Sequence, residues 1–80
     1  MTMVLLTATD CHLCEHAKGV LAELGLHWRE VDADSEEGQR LASTTPPFRP
    51  VLYDSERRPI AYGRLSQRRL RKQLHANEVA

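Results

Sequence analysis

Two cysteines stand three residues apart near the start of the sequence, at Cys11 and Cys14, and they are the only two in its 80 residues. A thiol at the first turn of a helix lies beside free backbone N–H groups and the positive end of the helix dipole, which favour its thiolate. A second thiol one turn later can close a disulfide with the first. The spacing therefore predicts a redox couple in which Cys11 attacks a disulfide and Cys14 resolves the mixed disulfide.

The neighbours of the pair act in opposite directions on Cys11. A protonated His12 stabilises a thiolate, and we count it among the candidate substrate-binding residues, whereas Asp10 opposes a thiolate by like charge. A CxxC pair is also half of many zinc sites. However, the chain has no other cysteine, and His12 and His16 share the first turns of the same predicted helix. We therefore expect redox chemistry at this site and no bound metal.

A strand, a helix and a second strand must position the pair. The apolar run over residues 3–8 predicts a strand buried on both faces, at the centre of a sheet. Residues 11–24 predict a helix, and Gly25 follows where a left-handed cap is expected. Residues 27–32 predict a second strand, parallel to the first through a right-handed crossover. The cysteines then stand at the carboxyl end of the central strand, where open α/β sheets hold their sites. The apolar positions of the helix are Leu13, Ala17, Val20, Leu21 and Leu24.

A short second helix is predicted after the second strand. Residues 34–37 resemble a capping box that opens a helix through about Ala42, and Gly38 weakens that helix. A loop stiffened by prolines follows over residues 43–50.

The last part of the chain predicts a hairpin and a final helix. Residues 51–53 and 59–62 form two short runs around a turn, which indicates antiparallel strands. Ser66 then caps a helix in which Leu65 and Leu70 form a hydrophobic staple. The order βαβαββα predicts an α/β fold with a four-stranded mixed sheet flanked by helices.

This element order, with a CxxC pair at the first helix, resembles the thioredoxin superfamily. The short bacterial glutaredoxin-like proteins are resembled in particular by residues 11–17, Cys-His-Leu-Cys-Glu-His-Ala. The resemblance covers nearly the whole chain. It implies a thioredoxin-like fold in one domain over residues 1–80. It also implies a thiol–disulfide oxidoreductase that reduces disulfides or mixed disulfides through Cys11 and Cys14.

The same resemblance implies further site residues. Pro50 matches the cis-proline that opens the third strand opposite the cysteines, and X-Pro is the peptide bond whose cis form costs little; an ordinary trans proline is the alternative. The backbone of Arg49 is implied to pair with the substrate chain, or else Arg49 is a solvent-facing loop residue. Gly63 and Ser66 stand in a segment similar to the glycine turn and helix N-terminus that bind a glutathione carboxylate in glutaredoxins.

Departures from that family leave the electron donor open. Only one glycine of the usual pair is present at Gly63, Ser66 stands where an acidic residue is usual, and no lysine precedes Cys11. Glutathione is one candidate donor. Thioredoxin reductase, which reduces the related redoxins that serve ribonucleotide reductase, is the other. We expect no bound cofactor in either case.

The formal net charge is zero, but the charge is divided unevenly along the chain. Residues 1–40 carry three basic residues against eight carboxylates, a net of −5, and residues 41–80 carry eight against three, a net of +5. The basic run is Arg64, Arg68, Arg69, Arg71 and Lys72. It is either a solvated helix face or a patch for an acidic protein partner. Nucleic acid is disfavoured because the isoelectric point is about 6.9 and no aromatic residues are interleaved with the run.

Two hypotheses of function follow. The first is the oxidoreductase, with a disulfide-bearing protein or glutathione as partner. The second is an interaction or redox-sensing module of the same fold without reductase turnover. The N-terminal segment shows neither a basic region nor an apolar run long enough for a signal peptide or a membrane span. We therefore expect a cytoplasmic monomer that binds no membrane.

Overall fold

The computed structural model describes residues 2–45 and 49–79, with side chains described as far as Leu74. Within these residues the elements follow one another in the predicted order. They are β1 (Met3–Thr7), α1 (His12–Glu23), β2 (Trp28–Asp32), α2 (Glu36–Ala42), β3 (Val51–Tyr53), β4 (Pro59–Tyr62) and α3 (Gln67–Val79). No helix in this part of the chain is long and apolar enough to cross a bilayer.

The strands form one mixed sheet in the order β2-β1-β3-β4. β1 pairs in parallel with β2 and antiparallel with β3, and β3 pairs antiparallel with β4. The predicted α/β fold is therefore confirmed, and it is compatible with a thioredoxin-like architecture. Val51 lies opposite both Leu6 on β1 and Tyr62 on β4. The carboxyl end of β1, the start of β3 and the end of β4 consequently share one edge of the sheet.

The two faces of the sheet carry different helices. On one face Leu5 and Leu52 pack with Leu21 of α1 and Leu70 of α3. On the other face buried strand residues pack with Leu41 of α2. The alternation of side chains along buried strands accounts for this division, since neighbouring residues of a strand point to opposite faces. β1 lies inside the sheet with residues 4–7 buried, as its continuous apolar run predicts.

Leu13 does not take the core position that the helical spacing predicts. Its side chain is 41% exposed, whereas Ala17, one turn later on the same side of α1, is fully buried. Leu13 lies in the first turn of α1, which begins after β1 has ended at Thr7. The prediction that Leu13 lies in the core was therefore wrong, because helical periodicity gives the side of a helix and not how deeply each position on that side is buried.

The start of α2 also differs from the predicted capping box. Ser35 is the N-cap, and its hydroxyl accepts the N–H of Gly38 at 3.0 Å. Because the third residue after the cap is a glycine, no carboxylate reaches back to complete the box. A Cβ at Gly38 would lie only 1.9 Å from the backbone oxygen of Asp32. Gly38 is therefore required for α2 to approach the end of β2.

The other predicted helix ends are confirmed. Gly25 has a left-handed φ of 68° just after α1. Ser66 precedes α3, its hydroxyl accepts the N–H of Arg69 at 3.4 Å, and the staple residues Leu65 and Leu70 are both buried. α3 is thus fixed against the α1 side of the sheet from its first turn.

Candidate functional site

Cys11 and Cys14 are joined by a disulfide, with their Cα atoms 5.2 Å apart. Cys11 is the N-cap of α1 and has extended backbone angles. Its sulfur accepts the backbone N–H of Cys14 at 3.1 Å, and its carbonyl oxygen accepts the N–H of Glu15 at 3.2 Å. The first sulfur therefore occupies the place that a capping side chain takes at a helix N-terminus, where a negative charge is favoured.

The two sulfurs differ in their access to solvent. The Cys14 side chain is 1% exposed and belongs to the core, whereas Cys11 is only half-buried. A thiolate can attack a substrate disulfide only where the substrate can reach its sulfur. Of the two cysteines, only Cys11 meets this condition. Cys14 is placed to react within the molecule.

The chain reaches Cys11 through a left-handed residue. Asp10 has a φ of 55° and an exposed side chain. Aspartate is one of the few residues other than glycine that adopt this conformation readily. The turn between β1 and α1 therefore accounts for an aspartate next to the cysteine, independently of any effect of its charge.

Pro50 precedes β3 at the edge of the sheet that also holds the cysteine turn. Its peptide bond with Arg49 is cis, as the family resemblance implies. Pro50 is buried, while Arg49 is half-buried. Predicted loop residues 46–48 lie outside the described residues. Pro50 is thus brought to the carboxyl end of β1 by the pairing of Val51 with Leu6.

Gly63 contacts Pro50 directly. Its N–H donates to the Pro50 carbonyl oxygen at 2.7 Å, and it has a left-handed φ of 62°. A glycine is favoured here because side-chain-bearing residues rarely adopt this conformation. Ser66 follows three residues later as the exposed cap of α3. The structure therefore groups the predicted site residues Pro50 and Gly63 at one edge, with Ser66 in the adjoining loop.

His16 makes a contact that the sequence does not predict. Its ring Nε2 lies 3.2 Å from the carbonyl oxygen of Leu65, in the loop between β4 and α3. A groove of about 430 Å³ runs beside this contact, between α1 and the start of α3. Glu15, Arg64 and Gln67 are among the residues that line it. The sequence marks His16 only as a poor metal ligand, because no local pattern brings together residues so distant along the chain.

Predicted residue His12 is exposed and directly follows the cap of α1. Among the residues whose side chains the structure describes, no three histidine, cysteine or acidic residues are grouped so as to hold a metal ion. The candidate site thus consists of the cysteine turn, the Pro50–Gly63 pair and the groove beside His16.

A polar network joins the end of β1 to α1. The buried Thr7 hydroxyl donates to Glu30 at 2.8 Å, and Lys18 lies 3.1 Å from the same carboxylate. These two hydrogen bonds, with that from Thr7 the larger cause, lower the pKa of Glu30. Hydrogen bonds to Glu15 and then Glu30 raise the pKa of Lys18. Lys18 therefore forms ion pairs with one carboxylate of α1, that of Glu15, and with one of β2, that of Glu30.

The chain matches no protein-family model, and no curated protein matches its sequence. The fold and the cysteine geometry are therefore the basis for a functional assignment.

Proposed function

We propose that the protein is a glutaredoxin-like thiol–disulfide oxidoreductase that reduces disulfides or mixed disulfides through Cys11 and Cys14. The observation that carries the proposal is the asymmetry of the pair. Cys11 is accessible and caps α1, whereas Cys14 is buried one turn later and within bonding distance. A pair that served only to hold the chain would gain little, since a disulfide that closes so short a loop constrains the unfolded chain weakly.

The chemistry proceeds in two exchanges. The reduced Cys11 thiolate attacks one sulfur of the substrate disulfide, and the other substrate sulfur leaves as a thiolate that takes up a proton. The Cys14 thiol loses its proton and attacks the Cys11 sulfur of the mixed disulfide, which releases the second substrate thiol. The substrate gains two electrons and two protons, and the protein ends as the Cys11–Cys14 disulfide seen in the structure.

The neighbouring edge supports substrate binding. Pro50 and Gly63 are joined there by a hydrogen bond, and Arg49 directly precedes Pro50. We assign the backbone of Arg49 to pairing with an extended substrate segment and His12 to stabilising the Cys11 thiolate. Gly63 and Ser66 are assigned to binding a carboxylate of glutathione or of the substrate at the start of α3.

The return of the protein to its dithiol form needs two electrons from a thiol donor. Glutathione and thioredoxin reductase are the two donors that we propose, in a reducing cytoplasmic setting and with no cofactor held by the protein. They are separated by coupling the protein either to glutathione with glutathione reductase or to thioredoxin reductase, and by following NADPH oxidation with a disulfide substrate.

The decisive experiment equilibrates the purified protein in graded glutathione redox buffers, followed by acid quenching and intact-mass measurement. We expect a loss of two hydrogen atoms with a single midpoint. A glutathione adduct should accumulate in Cys14→Ser, where the resolving thiol is absent, and not in Cys11→Ser.

The opposite result would be a Cys11 that stays reduced and free of adduct at every buffer ratio. The oxidoreductase would then be rejected in favour of an interaction module without turnover. An adduct that accumulates on Cys14 in the Cys11→Ser variant would reverse the assigned roles.

A further inference from the structure

Five basic side chains after Gly63 form what we call the basic face. All five are exposed, and within the described residues none of them makes an ion pair. They are Arg64, Arg68, Arg69, Arg71 and Lys72. By contrast, Lys18, Arg29, Arg40, Arg57 and Arg58 each lie within 4.0 Å of a carboxylate. The basic face therefore differs from these five ion-paired cations.

The stability of α3 does not account for these charges. Arg68 lies three and four residues before Arg71 and Lys72, and Arg69 lies three before Lys72, so like charges are neighbours on the helix. Arg68 and Arg69 also lie in the first turn, where the helix dipole disfavours a cation, and no acidic residue offsets them there. Each of these effects opposes helix formation. A cluster of charges that lowers the stability of the fold is expected where those charges bind a ligand.

The basic face begins at the candidate active site. Arg64 stands between Gly63, which is bonded to Pro50, and Leu65, which is bonded to His16. Arg64 also lines the groove beside α1. The other four cations follow on α3, and Arg69 lines, together with Arg64, a second cavity of about 260 Å³ beside β4. A partner held on this face would therefore extend from the active-site edge.

We propose that the basic face binds an acidic segment of a disulfide-bearing protein and so selects the substrates of Cys11. The proposal rests on the oxidoreductase function above, and it adds no reactant to the two exchanges written there. Arginine, which supplies four of the five cations, binds carboxylates in a bidentate manner. The complementary charge also raises the rate of encounter with an acidic partner.

An acidic protein fits this face better than a nucleic acid. The chain has no net charge, because the −5 of residues 1–40 offsets the +5 of residues 41–80. A nucleic-acid-binding domain usually carries an excess of positive charge, whereas the isoelectric point of this chain is about 6.9. Stacking of bases needs aromatic side chains among the cations, and the described part of α3 has none.

The test compares two synthetic peptides that contain the same intramolecular disulfide. One carries a flanking segment of four glutamates, and the other carries four serines in their place. The rate constant for reduction by the dithiol form of the protein is measured by stopped flow with no other reductant present. At low ionic strength we expect the acidic peptide to be reduced about 10-fold faster. This ratio should fall towards one in high salt.

Two charge-matched variants locate the effect. Arg68→Gln/Arg69→Gln should bring the ratio between the peptides close to one. Arg40→Gln/Arg58→Gln removes the same charge from ion-paired positions elsewhere and should leave the ratio unchanged. Equal rates for the two peptides with the unmodified protein, or equal effects of the two double variants, would overturn the proposal.

A second measurement separates this proposal from the function on which it rests. The same two peptides with serines in place of their cysteines are titrated against the protein, and binding is followed by fluorescence anisotropy. Selective binding of the acidic peptide without any reduction of its disulfide form would reject the reductase and support the face. Tighter binding of a single-stranded oligonucleotide than of the acidic peptide would overturn the assigned partner. The proposal would also be overturned if the unmodified protein were a dimer in solution and Arg68→Gln/Arg69→Gln were a monomer. The basic face would then be a surface for self-association.

Discussion

The ring Nε2 of His16 lies 3.2 Å from the backbone carbonyl oxygen of Leu65, which is 49 residues away in the chain. Because a carbonyl oxygen only accepts hydrogen bonds, Nε2 must carry a hydrogen in this contact. His16 belongs to α1, two residues after Cys14, and Leu65 belongs to the loop that leads from Gly63 to α3. The helix that carries the cysteines is thus tied to the loop that carries part of the proposed binding edge.

Replacement of His16 by alanine should weaken this tie. We expect the free energy of unfolding to fall by about 1 kcal/mol, the usual net value of one hydrogen bond, because the Leu65 carbonyl loses its partner. His16→Gln can place an amide N–H at a similar distance and should recover part of that loss. The measurement is urea denaturation followed by circular dichroism.

His27 provides the matched control for His16, because its side chain is exposed beside β2. His27→Ala should change the free energy of unfolding by no more than about 0.5 kcal/mol. If His16→Ala and His27→Ala behave alike, the contact with Leu65 contributes nothing to stability.

Two glycines in helices predict opposite effects of the same substitution. A Cβ at Gly38 would lie 1.9 Å from the Asp32 carbonyl oxygen, whereas a Cβ at Gly19 meets nothing within 4 Å. Alanine favours a helix over glycine, so Gly19→Ala should stabilise the protein by about 0.5–1 kcal/mol. Gly38→Ala should destabilise it by about 1–3 kcal/mol, because backbone must move to admit the methyl group. Urea midpoints that shift in the same direction for both variants would contradict this assignment.

Leu13 predicts an effect on substrate preference that exceeds its effect on stability. Its side chain is 41% exposed between the two cysteines, so only part of it is covered by the protein. Leu13→Ser should lower the free energy of unfolding by about 1 kcal/mol, because it removes partly covered apolar surface and serine favours a helix less than leucine. It should lower the rate of reduction of disulfide peptides with apolar flanking residues more than that of peptides with polar ones. Equal losses for both kinds of peptide would show that Leu13 makes no apolar contact with substrates.

The fold could be predicted from the sequence wherever a local pattern determines it. The continuous apolar run of β1 predicts a central strand, and residues 17, 20, 21 and 24 of the helical pattern do face the core. Gly25 and Ser66 mark helix ends because their conformations depend on residues within one turn. The CxxC turn is of the same kind, since the helix cap and both sulfurs lie within four residues.

The contacts that could not be predicted join elements that are distant in the chain. In the sequence, Gly38 is only a residue that lowers the stability of a helix. The close approach of α2 to Asp32 shows why a glycine is required there. His16 meets Leu65 through the packing of α1 beside the start of α3. Leu13 is exposed although it lies on the same side of α1 as the buried Ala17. None of these relations has a period or a motif that a single sequence displays.

The ion pairs of Glu37 with two arginines predict how the free energy of unfolding depends on pH. Its carboxylate accepts hydrogen bonds from Arg29 of β2 at 2.9 and 2.7 Å and from Arg57 of the β3–β4 turn at 2.5 Å. These bonds, with Arg29 the larger cause, lower the pKa of Glu37 from 4.5 to about 2. The folded state therefore holds the charged form at a pH where the unfolded chain already binds a proton. The stabilisation is complete above the unfolded value of about 4.5, and it is lost as the pH falls towards 2.

Glu37→Gln tests this relation, because it keeps the shape of the side chain and removes the charge. We expect the variant to be less stable than the unmodified protein at about pH 6.5, and the difference to shrink as the pH is lowered to about 3. Glu36→Gln is the control, since the Glu36 side chain is 92% exposed and its carboxylate lies 3.9 Å from Arg40. This change should have little effect at either pH, as expected for an exposed ion pair. The measurement is the urea midpoint of each protein along the pH series. If the difference in midpoint between Glu37→Gln and the unmodified protein stays constant down to about pH 3, the two arginines do not stabilise the charged form of Glu37.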